Sequence, residues 1–149
     1  TIQGNFSFQD GDFDKFEADT NFDGTIDVDF SDRPLTRTPE LSGALQVSYA
    51  STYGSGLEGR GVVTIAYEDE QVFNYSDISR ANDTMLDSKT LVDVSYQISD
   101  LEKDYSLRFY VQNVTDERYR VSSQPVATLW VFSQYGPPRT AGIEMTLDF

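Results

Sequence analysis

Between Asp10 and Asp32 the chain carries nine acids and a single Lys. The densest stretch, Asp19-Thr20-Asn21-Phe22-Asp23-Gly24-Thr25-Ile26-Asp27, has the D-x-N-x-D-G-x-I-D spacing of a calcium loop. Side-chain oxygens of Asp19, Asn21 and Asp23 would alternate around one cation. Gly24 would allow the sharp bend, Thr25 would offer its carbonyl, Ile26 would anchor the loop, and Asp27 would bind directly or through water. The spacing departs from the full pattern at the twelfth position, which is Phe30 and not Glu, so Asp29 or Asp32 would have to substitute. No helical period flanks the loop. The expectation is a Ca²⁺ loop without an EF-hand, binding more weakly than a complete one. The plain alternative is a solvated acidic loop that uses Asn, Asp and Gly as turn formers.

Little other chemistry is open to this chain. Among 149 residues there is no His and no Cys, which removes Ser-His-Asp and Cys-His nucleophiles, Cys/His zinc sites and disulfides. Lys plus Arg number 11 against 25 acids, a net charge of -14, and such a surface would repel a phosphate backbone, so no nucleic-acid partner is expected. No spacing sets two carboxylates across a substrate, so no enzyme is expected either. Aromatic residues make up 13% of the chain, far more than a disordered acidic tail would hold. No apolar run approaches the ~18 residues of a helical membrane span. The first residues, TIQGNFSFQD, lack a Met and a signal-peptide pattern, which reads as a start in mid-structure.

The elements that would position these groups are strands. Period-two alternation recurs in six segments. Ala141, Ile143, Met145, Leu147 and Phe149 share one face of the last, and Thr140, Gly142, Glu144, Thr146 and Asp148 the other. The same pattern places Tyr105, Leu107, Phe109 and Val111 together, then Val92, Val94, Tyr96 and Ile98, then Val63, Ile65 and Tyr67, then Leu41, Leu45, Val47 and Tyr49, then Ile2, Phe6 and Phe8. Two connections are short, around 53–56 and 99–103. Three are long, at about 10–39, 73–87 and 118–138. The expected fold is therefore all-β, an antiparallel up-and-down meander of about six strands. Short turns at one end, long polar loops at the other, and Tyr49, Tyr67, Tyr96 and Tyr105 near strand ends are the build of a transmembrane β-barrel. Periodicity alone leaves open a half-buried sheet with a core on one side and water on the other. Six strands are too few to close a barrel, since membrane barrels have at least about eight.

Three stretches carry a family resemblance. Asn113-Val114-Thr115-Asp116-Glu117-Arg118-Tyr119 resembles the Asn-Leu-Thr-Asp-Glu-x-Tyr element near the end of TonB-dependent outer-membrane receptors. Tyr135-Gly136-Pro137-Pro138-Arg139-Thr140, leading into a strand that ends on Phe149, is similar to the C-terminus of that family. Arg37-Thr38-Pro39-Glu40 resembles its Pro-Glu loop exit. The resemblance implies that residues 1–149 are the C-terminal segment of a barrel of about 22 strands, with the N-terminal plug outside the segment. It implies import of a scarce nutrient, such as an iron-siderophore or cobalamin, driven by the TonB complex, and a place in the outer membrane of a Gram-negative-type bacterium. Asn113, Thr115, Asp116, Glu117, Tyr119, Pro137, Pro138 and Arg139 are then family-motif residues. Phe149 is part of the signal read by the barrel assembly machinery. The partners so implied are outer-membrane lipid, the rest of the receptor and a small nutrient ligand.

From the residues themselves, Asn113 and Asp116 are expected to bond nearby backbone as a strand leaves the sheet, and Arg118, Arg120 and Arg139 to pair with loop acids. Trp130, Phe132 and Tyr135 could line a ligand vestibule, though loop packing is the plainer role. No ligand-binding residue can be named. The competing reading is a secreted, calcium-stabilised β-sandwich serving binding or adhesion; a third is a carboxylate hydrolase.

Overall fold

A computed structural model describes residues 1–54, 56–74, 84–100, 102, 105–126 and 129–147. Twelve strands run β1 (Ile2–Phe8), β2 (Glu17–Ala18), β3 (Val28–Asp29), β4 (Leu41–Tyr53), β5 (Leu57–Glu68), β6 (Gln71–Val72), β7 (Met85–Leu86), β8 (Lys89–Asp100), β9 (Tyr105–Gln112), β10 (Arg120–Val126), β11 (Trp130–Tyr135) and β12 (Thr140–Leu147). Six of them form one antiparallel sheet in the order β1-β4-β5-β8-β9-β12, the six segments the alternation picks out. The sheet is open: β1 and β12 are its edges, and it does not close into a barrel.

The register lays apolar residues in rows across the sheet. One row joins Ile2, Val47, Val63, Val94, Val111 and Ala141. Another joins Tyr49, Gly61, Tyr96, Phe109 and Ile143. On the opposite face one row joins Ala50, Arg60, Gln97, Arg108 and Glu144. No second layer of described residues covers the apolar face: Phe6 is 84% exposed, Ile143 68% and Met145 63%.

Apart from Gly59 on β5, the buried residues lie elsewhere. Phe30, Val72, Thr84, Leu86 and Ser123 are all in segments that link the sheet's strands. Two of the long connections hold two-residue strand pairs, β2-β3 and β6-β7. The third, 118–138, is a full hairpin, β10-β11, where a structureless loop was expected. Its Ser123 and Pro125 are buried, and β10 contacts β7. A bridge between Thr36 and Val72 joins the acidic connection to β6. There the Arg37 guanidinium also sits 4.4 Å from the centre of the Phe73 ring. The connections thus share a small core of their own.

Candidate functional site

The family-motif residues converge at the end of β9. Asn113 is 5% exposed and adopts φ 50°, a left-handed conformation that Asn tolerates well. Its Nδ2 donates to the Glu117 carbonyl at 2.9 Å and to the Pro137 carbonyl at 3.3 Å. Its Oδ1 accepts the Glu117 N–H at 2.9 Å and the Thr115 hydroxyl at 3.4 Å. Its own N–H donates to Asp93 Oδ1 at 2.8 Å. Asp116, also left-handed at φ 56°, accepts the Arg139 N–H at 3.0 Å. The Glu117 carboxylate accepts the Thr90 N–H at 3.1 and 3.2 Å. Tyr119 lies across Gly136 so closely that a Cβ there would overlap its ring, and the Gly136 N–H donates to the Tyr119 carbonyl at 2.9 Å. Pro138 denies the chain a donor just before β12 starts. The motif is therefore a clasp. It ties β8, the end of β9, both ends of the β10-β11 hairpin and the start of β12 together.

The arginines divide. Arg120 meets Asp87 at 3.1 Å and Arg139 meets Asp116 at 3.8 Å, as loop pairing requires. Arg118 instead lies over the Tyr135 ring at 4.6 Å.

The acidic loop folds on its own backbone. Asp19 accepts the Asp23 N–H at 3.3 Å and the Gly24 N–H at 2.7 Å. Asn21 Oδ1 accepts the Asp23 N–H at 2.9 Å, and Asp23 accepts the Thr25 N–H at 2.8 Å. Asp27 accepts both the N–H and the hydroxyl of Thr20 at 2.8 Å. Bonds from the Thr25 side chain and backbone hold the Asp23 carboxyl below the usual carboxylate range, and bonds from Thr20 do the same for Asp27. Among the described residues no group of three or more acidic side chains converges as a metal-ligating cluster. Ile26 does not anchor the loop as expected, being 60% exposed. Phe30 does: it is 8% exposed and packs 5.2 Å from Phe16, so the twelfth position holds a core ring where a complete loop would carry its Glu.

In the hairpin, Trp130 and Phe132 share the outward face at 58% and 55% exposure. Ser122 and Gln134 pair beside them, with the hydroxyl donating to Gln134 Oε1 at 3.2 Å. Phe149 lies outside the described residues, as does Asp148.

Sequence reasoning did not find Thr90 and Asp93 as partners of the clasp. It also did not find that Arg60 and Arg108 lie in one row. Both facts depend on strand register, which no short motif reports.

Compared with protein-family models, with curated proteins and with solved structures, the chain matches none.

Proposed function

We propose that this chain is the wall and outer-loop segment of a TonB-dependent outer-membrane receptor that imports a scarce nutrient, such as an iron-siderophore or cobalamin, without catalysis. The observation that carries the reading is the uncovered apolar face. On β5 it runs from Leu57 to Tyr67, ten steps at roughly 3.3 Å each, or about 33 Å along the strand. At the ~40° tilt of membrane strands that spans ~25 Å, the height of a barrel's apolar band. Tyr67 stands with Phe6 at the long-connection end of this band, while Tyr53 and Tyr105 stand at the short-turn end, where aromatic girdles belong. The open edges of β1 and β12 fit a wall completed by further strands, because lipid leaves an unpaired edge without partners. In this reading the connections and β10-β11 face the exterior. The remaining strands and plug, the TonB complex and the assembly machinery are the partners.

The rival sandwich needs a second sheet over Ile143 and Met145, and these are 68% and 63% exposed. The test is to produce the complete gene product in a Gram-negative host. Expected is a detergent-requiring protein in the outer membrane fraction, whose gel mobility changes on heating. A monodisperse protein in plain buffer overturns the reading. Deleting Phe149 should then reduce the amount of folded barrel without weakening ligand binding in the molecules that insert. Normal barrel levels with weakened binding would remove its assembly role.

A further inference from the structure

Among the described residues most cations have partners, Arg33 and Arg60 being the exceptions. Lys15 meets Glu17 at 3.0 Å, Lys89 meets Glu68 at 2.6 Å, and Arg120 and Arg139 meet Asp87 and Asp116 at 3.1 and 3.8 Å. The Arg60 guanidinium has none among the described residues, although the chain holds 25 acids. It lies on the polar face of the sheet, in the row Arg60-Gln97-Arg108 across three adjacent strands. With strands ~4.8 Å apart, the two arginine backbones are about 10 Å from each other. Arg108 makes a loose contact with Glu144, at 3.6 Å between half-exposed side chains, and its guanidinium lies 5.8 Å from the centre of the Tyr110 ring.

The two arginines line one depression of about 280 Å³, with Gln46, Thr64, Gln97 and Gln112 among its other walls. Its polar groups are mixed: Gln97 already donates its NH₂ to the Ser99 hydroxyl at 3.0 Å, which leaves its Oε1 to accept, and the two guanidinia are its cations. Gln112 Oε1 is taken by the Thr140 hydroxyl at 3.3 Å, which leaves its NH₂ to donate. Asp93 is the single carboxylate in the lining, and its Oδ1 accepts the Asn113 N–H at 2.8 Å. A guanidinium presents a planar fork that takes a carboxylate or phosphate through two parallel bonds. Two forks flanking one hollow match a ligand with two acid groups. A neutral ligand would leave the Arg60 charge unanswered and Arg108 with Glu144 alone as its acid.

We propose that this depression binds a small polyanion bearing two or more carboxylate or phosphate groups, held between Arg60 and Arg108. The proposal needs only a wet polar face, so it stands apart from the receptor reading.

The test is calorimetry on the complete gene product in detergent, titrated with citrate and, separately, with inorganic pyrophosphate. Saturable binding of either anion is expected. Arg60→Gln and Arg108→Gln should each weaken it tenfold or more, and Lys15→Gln should leave it unchanged. Citrate alone binding assigns carboxylates, and pyrophosphate alone assigns phosphates; either upholds the site. No binding of either, equal affinity in Arg60→Gln, or the same loss in Lys15→Gln overturns it. Should Arg60→Gln fail to fold, Arg60→Lys decides. It keeps the charge but loses the fork, so a several-fold loss is expected and unchanged affinity overturns the proposal. Anion binding by a protein that needs no detergent would retire the receptor reading and leave the site in place.

Discussion

At the scale of single residues, Asn113 does more than any other polar side chain described. It fills a left-handed position and answers backbone groups of Glu117, four residues on, and of Pro137 in a distant segment while almost fully buried. Asn113→Ala strands two carbonyls and one N–H, and the expected cost is about 2–3 kcal/mol in a denaturant titration of the folded protein. Asn113→Asp should cost at least as much, because it turns a donor into an oxygen facing the Glu117 and Pro137 carbonyls. An Asp variant as stable as wild type would refute the assigned bonding. Gly136 gives a sharper test. Gly136→Ala should destabilise by about 1–3 kcal/mol, since its Cβ meets the Tyr119 ring. In a Tyr119→Ala background the same change should be nearly neutral, and additive effects would disprove the contact. The acidic loop predicts a pH response. Asp23 and Asp27 are held below their ordinary value of 3.8, so their bonds contribute fully above that value and are lost as pH falls through the lower folded value. Amide exchange at Thr20 and Thr25, corrected for its intrinsic pH dependence, should show protection near neutrality that disappears only below the usual carboxylate range.

At the scale of elements, the six sheet strands were legible because alternation survives wherever one face must stay apolar. β12 is the clearest, with Ala141, Ile143, Met145 and Leu147 unbroken. The first half of β5 was missed, and its sequence explains why. Gly59 and Gly61 occupy apolar-face positions, and the Tyr96 ring from β8 covers them, so the apolar surface there is supplied by a neighbour. The β10-β11 hairpin is hidden in the sequence because Ser122, Ser123, Gln124 and Pro125 have no period and contain a residue that cannot donate to a ladder. β2-β3 and β6-β7 are two residues each, too short for any period. The residues of the clasp were legible as turn formers, but their partners across β8 were not. The two faces of one strand give a direct test of surroundings. Val63→Arg should destabilise the folded protein in lipid by about 2–4 kcal/mol, whereas Thr64→Arg, one residue on and on the opposite face, should be close to neutral. Equal effects would mean that neither face meets hydrocarbon.

At the scale of the whole molecule, packing is distributed the reverse of the usual way. The long, regular sheet has an open face, while the irregular connections enclose Phe30, Thr84, Leu86 and Ser123. Such surfaces aggregate in water, through both the apolar face and the two unpaired edges. This arrangement has a consequence for how the sequence is free to drift. A side chain on the uncovered face has neighbours beside it but no second layer above it, so exchanging Val63, Ile65 or Val94 among Val, Ile, Leu and Phe should be nearly silent. Ser123, at 0% exposure, is enclosed on all sides, so a larger side chain there is expected to disturb its neighbours. A library scoring every substitution should therefore mark the connecting segments as the intolerant part of the chain and the regular strands as the permissive part. That is opposite to the pattern that scaffold and loop ordinarily leave in a protein's history.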